Sequence, residues 1–211
     1  DVTHRFSGAA EEEDKATEFL SNAFIVAIFA ICMVLVVQFN SIAVPSIVMC
    51  SVILSFIGVF LGLLIFQKPF GIIMSGIGVI SLAGVVVNNG IVLLDAIRQF
   101  QRKGLPVREA VVTASMIRLR PVLLTAITTV LGLLPMALKF SLDFANLTYQ
   151  YDSQSSQYWQ SMAVVVIFGL VVSTALTLGV VPTLYYLYER LRVKIVGRYT
   201  VEPTRELDAL E

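Results

Sequence analysis

The chain has 211 residues, of which 57% are hydrophobic and only 14% charged, with fifteen basic and fifteen acidic side chains and no net charge. Soluble domains of this length carry about 25% charged residues, so a water-soluble globule is excluded in favour of an integral membrane protein. Two cysteines, Cys32 and Cys50, lie inside apolar runs and read as small buried hydrophobes; the one histidine, His4, has no second ligand spaced to hold a metal with it.

Residues 1–17 form a polar lead-in that contains Glu11-Glu12-Glu13-Asp14, a run expected to be solvated. The first predicted span covers residues 18–39 and ends at the polar turn Gln38-Phe39-Asn40-Ser41. A second covers 42–66, with Pro45 in its first turn, where a missing N–H is harmless. Gly58 and Gly62 in it form a small-xxx-small pair that permits close helix approach. Each run is long enough to cross ~30 Å of hydrocarbon.

After the turn Gln67-Lys68-Pro69-Phe70-Gly71, the third span covers 72–97 and carries the most informative stretch, Gly84-Val-Val-Val-Asn88-Asn89-Gly90-Ile-Val-Leu-Leu-Asp95. Ser81, Asn88 and Asp95 recur every seven residues and so share one helix face. Inside a membrane such groups cannot face lipid, which makes them the leading functional candidates. The remaining helices are expected to bury that stripe. The span leaves through a basic amphipathic segment, Ile97 to Lys103, and Gly104-Leu105-Pro106 stops it.

Residues 107–117 have the spacing of an amphipathic helix lying at the interface, and a fourth span covers 119–138. Arg118, Thr125 and Gly132 again recur at seven. Residues 139–157 read as a polar loop, Tyr158 and Trp159 as interfacial anchors, and 161–188 as the fifth span, with Ser173, Thr174 and Thr177 on one face. Residues 189–211 form a tail, of which 200–211 read as disordered.

Four basic residues (Arg5, Lys15, Lys68, Lys139) fall on the side of the N-terminus and eleven on the other. That bias places the N-terminus outside and the C-terminus in the cytoplasm. Five spans with an outside start fit a piece of a longer chain. No nucleophile–base pair, phosphate-binding glycine loop or metal-ligand cluster points to an enzyme.

Several of these motifs together resemble one family. The Gly84–Asp95 segment, the basic loop after it, Arg118-Leu-Arg-Pro-Val-Leu-Leu-Thr-Ala126, Gly132-Leu-Leu-Pro135, Gln38-Phe-Asn-Ser41 and Lys68-Pro-Phe-Gly71 occur in order and at consistent spacing over about residues 5–192. They resemble resistance-nodulation-division efflux pumps of the AcrB/AcrD/AcrF-like, hydrophobe/amphiphile type. The resemblance implies an all-α transmembrane bundle that is the C-terminal part of a twelve-span transporter with two pseudo-symmetric halves. It also implies a bacterial inner-membrane location and a homotrimer working with a periplasmic adaptor and an outer-membrane channel. The implied energy source is the proton gradient, with no cofactor and no nucleic-acid partner.

Residue by residue, the resemblance places Asn88 where many such pumps carry a lysine that pairs with proton-binding aspartates of the other half. It aligns Asn89 with the following asparagine, Asp95 with a later acidic residue, and Arg118 and Thr125 with the arginine and threonine of the proton relay. Asn88 departs from the pattern, because an amide can hydrogen-bond a carboxyl but cannot neutralise one. A related exporter of metals, lipids or polypeptides, and a passive helical scaffold, are the alternative readings.

Overall fold

The computed structural model describes residues 9–143, 148–151 and 154–196. His4, Arg5 and the segment 200–211, all singled out in the sequence, lie outside the described residues. Five helices dominate: α1 (Ala9–Phe39), α2 (Ala43–Ile65), α3 (Ile72–Arg102), α4 (Val107–Ala137) and α5 (Gln154–Val196). All five are long and apolar enough to cross a membrane, as the fold class requires.

Between α4 and α5 runs a short antiparallel hairpin, β1 (Phe140–Asp143) paired with β2 (Thr148–Tyr151) in the register Phe140↔Tyr151 to Asp143↔Thr148. A polar loop over residues 139–157 was expected there. Its Phe, Thr and Tyr residues favour extended backbone, and Lys139, at φ +61°, turns the chain out of α4.

Other boundaries differ from expectation as well, α5 among them, which runs over Gln154–Val196 rather than 161–188. The acidic run Glu11–Asp14 belongs to α1 rather than to a loose lead-in: it lies in the helix's opening turns, where negative charge complements the dipole, and Glu11 pairs with Lys15 at 2.9 Å. The separate interfacial helix 107–117 and span 119–138 are one unbroken helix, α4. Pro121 removes a single backbone hydrogen bond, which a transmembrane helix tolerates. At 31 residues α4 is roughly 46 Å long, more than the ~30 Å of hydrocarbon requires of an upright helix.

The helix ends obey the local chemistry. Gly104, at φ +86°, closes α3 with a Schellman motif in which Gly104 N donates to Gln101 O (3.0 Å) and Leu105 N to Phe100 O (3.2 Å). Gln67, at φ +50°, does the same for α2: its N donates to Leu64 O at 3.2 Å and Lys68 N to Leu63 O at 3.0 Å.

The packed centre is a trio, α2, α3 and α5. Glycines let these helices approach closely. A Cβ at Gly58 would lie 2.6 Å from Phe168 O and 2.7 Å from Val172 Cβ, and one at Gly62 would lie 2.5 Å from Phe168 Cβ. At Gly78 it would come within 3.1 Å of Val165 on α5, and at Gly90 within 3.1 Å of Val48 on α2. The main apolar cluster threads this trio through Val48, Val59, Leu82, Val86, Leu93, Leu94, Val165 and Leu170.

α1 and α4 are different. Only 6% and 11% of their most apolar windows are buried, against 50–56% for the other three. Cys32 and Cys50 are accordingly half-buried rather than core, and both line a groove between α1 and α2.

Candidate functional site

α3 has two faces, and the sequence candidates divide between them. Leu82, Val86, Asn89, Gly90, Leu93 and Ile97 are buried. Ser81, Gly84, Asn88 and Gln99 are exposed, with Val92 and Asp95 half-buried on the same line. The other described residues therefore do not bury the Ser81–Asn88–Asp95 stripe, contrary to expectation. The helix turns its more apolar, glycine-notched face to α2 and α5, because that face removes more hydrocarbon surface and allows closer packing.

Consecutive residues on a helix point about 100° apart. Asn88 therefore faces outward while Asn89, at 7% exposure, sits in the packed interior. Asp95 accepts a hydrogen bond from Gln99 Nε2 at 2.8 Å, one turn on. It makes no ion pair with Arg98 or a loop arginine among the described residues.

On α4, Arg118 is half-buried and Thr125 exposed. Thr125 Oγ1 donates to Val122 O at 2.9 Å within its own helix, and Thr129 Oγ1 donates to Thr125 O at 2.8 Å. A Cβ at Gly84 or Gly132 would meet nothing within 4 Å, so both stripes open onto unfilled space. No described hydrogen bond or ion pair joins Asn88, Asn89, Asp95, Arg118 and Thr125 to one another. Among the described residues the structure gives two open polar lines, one on α3 and one on α4, and not a closed network.

A second polar cluster does close, and the sequence reading missed it. Arg98 Nη1 donates to Phe39 O at 2.6 Å, and its guanidinium lies 5.0 Å from the centroid of the Phe39 ring. Phe39 ends α1, where carbonyls lack intrahelical partners and the dipole is negative. Asn40, at φ +43°, then turns the chain away. Nearby, the buried Tyr185 hydroxyl of α5 donates to Gln101 Oε1 at 2.8 Å. Arg98 and Glu189 are its charged neighbours. These residues tie the C-terminal parts of α1, α3 and α5 together. They are 59 and 84 positions apart in the chain, and the only signal for them was a polar turn after span one and a basic exit from span three.

Comparison with known proteins gives the family. The model of the AcrB/AcrD/AcrF family matches residues 1–189. The chain belongs to that family. The swarming motility protein SwrC of Bacillus subtilis (strain 168) is 34% identical over 189 residues, 90% of this chain and 17% of that protein. The multidrug resistance protein MdtC of Erwinia amylovora is 33% identical over 194 residues, 92% of this chain and 18% of that one. A crystal structure of a heavy metal efflux pump superposes with a TM-score of 0.70 at 28% identity, covering 90% of this chain and 18% of its own. The chain thus spans less than a fifth of the length of these relatives. Its five apolar helices and its relatives make it a multi-pass membrane protein of the resistance-nodulation-division group.

Proposed function

We propose that these helices form part of the transmembrane engine of a proton-driven exporter of hydrophobic or amphiphilic compounds in the bacterial inner membrane. In this reading the 39–42 turn, the 103–106 loop and the tail are cytoplasmic. The observation that carries it is the open stripe Ser81, Gly84, Asn88, Asp95 and Gln99, which this chain's own helices leave uncovered. Amides and carboxylates exposed to hydrocarbon are costly. A protein surface from the rest of the transporter, itself polar, is the cover that removes the cost.

Asn88, Thr125 and Arg118 would then face acidic groups of that covering half, with Asn89 holding α3 in register from behind and Asp95 near the cytoplasmic exit. Arg118 favours an ionised carboxylate by charge; Asn88 and Thr125 can bond either protonation state. Protonation from the periplasm weakens the pull of Arg118 and shifts the balance between two helix arrangements. That shift would drive substrate movement in a periplasmic portion. The working assembly would be a homotrimer with a periplasmic adaptor and an outer-membrane channel, using no cofactor.

The deciding experiment replaces Asn88 with Ala in the full-length transporter. Efflux should fall with expression unchanged; unaltered efflux removes Asn88 from the mechanism. Abolition of efflux by an uncoupler separates this reading from a passive scaffold. The likeness to a heavy metal efflux pump supports a second reading, metal export. A growth panel in which the transporter protects against metal salts and not against amphiphiles would select it.

A further inference from the structure

Where the first turns of α4 pass the C-terminal part of α5, a cleft of about 250 Å³ opens on the outer surface, lined by Arg108, Val111, Val112, Pro182, Thr183 and Tyr186. We propose that it holds an anionic phospholipid of the leaflet next to the basic loop, with its phosphate against Arg108 and Tyr186 and one acyl chain in the apolar part of the cleft.

Three observations support that occupant. The first is the order of chemistry along the membrane normal. Arg108 and Tyr186 lie toward the water side, and Val111, Val112 and Pro182 lie one turn deeper on the two helices. A phospholipid has the same order. The second is charge. Arg108 is exposed and has no ion pair among the described residues, and the same is true of Arg190, one turn beyond Tyr186 on the same helix face. The acid on that turn, Glu189, faces Arg192 at 3.6 Å. Among the described residues the cleft mouth therefore sets two arginines without ion pairs, Arg108 and Arg190, against one such acid, Glu109, a net positive charge where a basic recess between transmembrane helices suits a phosphate headgroup.

The third is room. Thr183 satisfies its own hydroxyl by donating to Gly179 O at 2.7 Å, so it offers the cleft a methyl-bearing wall. Gly179 is exposed and would meet nothing within 4 Å if it carried a Cβ, so the cleft is open at its deep end. Both helices are long and apolar enough to span the membrane, and none of the described residues covers this opening. The site does not involve Asn88, Arg118 or Thr125, and its test is independent of proton coupling.

The test is native mass spectrometry of the full-length transporter, delipidated in mild detergent and titrated with phosphatidylglycerol or phosphatidylcholine. Phosphatidylglycerol should be retained at lower concentration than phosphatidylcholine. Arg108→Gln should weaken that preference about fivefold, the effect of one basic side chain near an anionic surface. Val112→Trp, which fills the cleft from an exposed position, should abolish retention of the last lipid whatever its headgroup. Inorganic phosphate should not displace the lipid. Equal retention of the two lipids, displacement by phosphate alone, or indifference to both variants would overturn the proposal.

Discussion

Removing the Arg98 guanidinium while keeping the length of its stem, as in Arg98→Met, tests whether α1 is held chiefly at its end. The upper part of α1 contributes little packing: Phe19, Ile25, Val26, Phe29 and Met33 are all exposed. Leu35 and Phe39 are buried, and Arg98 satisfies the terminal carbonyl from the side. A hydrogen bond from a charged donor contributes about 1.5–3 kcal/mol. The cation–π contact adds about 0.5–1 kcal/mol at a half-exposed site. Water can replace part of the lost bond at the membrane boundary, so the net local loss should be about 2 kcal/mol, equivalent to roughly a 30-fold change in the opening equilibrium.

Hydrogen exchange of the transporter in nanodiscs reads that equilibrium directly. Amides at residues 35–42 should exchange faster by that factor in Arg98→Met, while those of α2 and α5 stay protected. Pairing the change with Phe39→Leu, which removes the ring and leaves the carbonyl, separates the two contributions by a double-mutant cycle. A change below about threefold at 35–42, or one spread evenly over all helices, would refute the reasoning.

The glycine contacts give opposite expectations at two positions. Gly58→Ala places a methyl 2.6 Å from Phe168 O and should destabilise the α2–α5 contact by about 1–3 kcal/mol, read as a lower thermal midpoint in detergent. Gly132→Ala meets nothing among the described residues, so within this bundle it should be neutral, or stabilising by up to about 1 kcal/mol through helix propensity. Marked loss of stability in the full-length transporter would place the covering half against Gly132. Tyr185→Phe deletes the bond to Gln101 and should cost about 1 kcal/mol, measured in the same melt; no shift would mean that the hydroxyl contributes nothing to joining α3 and α5.

The helical membrane fold was legible because a 20-residue apolar run has few other uses in water. The stops were legible too: Gly104 takes the positive φ that its place after a basic helix end suggested. The break expected near Arg118 was not real. Two charges and a proline interrupt hydrophobicity without interrupting hydrogen bonding, and pattern alone conflates the two. The candidate site was half legible. A seven-residue recurrence correctly groups Ser81, Asn88 and Asp95 on one line, but periodicity says nothing about which line turns inward. That choice depended on Gly78 and Gly90 fitting against Val165 and Val48. The Arg98–Phe39 contact was invisible because its donor resembles any other boundary arginine and its acceptor is a main-chain atom.

The opposite aims of Asn88 and Asn89 bear on swapping segments between related pumps. A chimera that grafts α3 alone must match two independent neighbours, since one amide answers to this bundle and the next to whatever is apposed from without. Grafts that carry α2, α3 and α5 as a unit keep the first match intact and leave the contacts with α1, α4 and the apposed surface to repair.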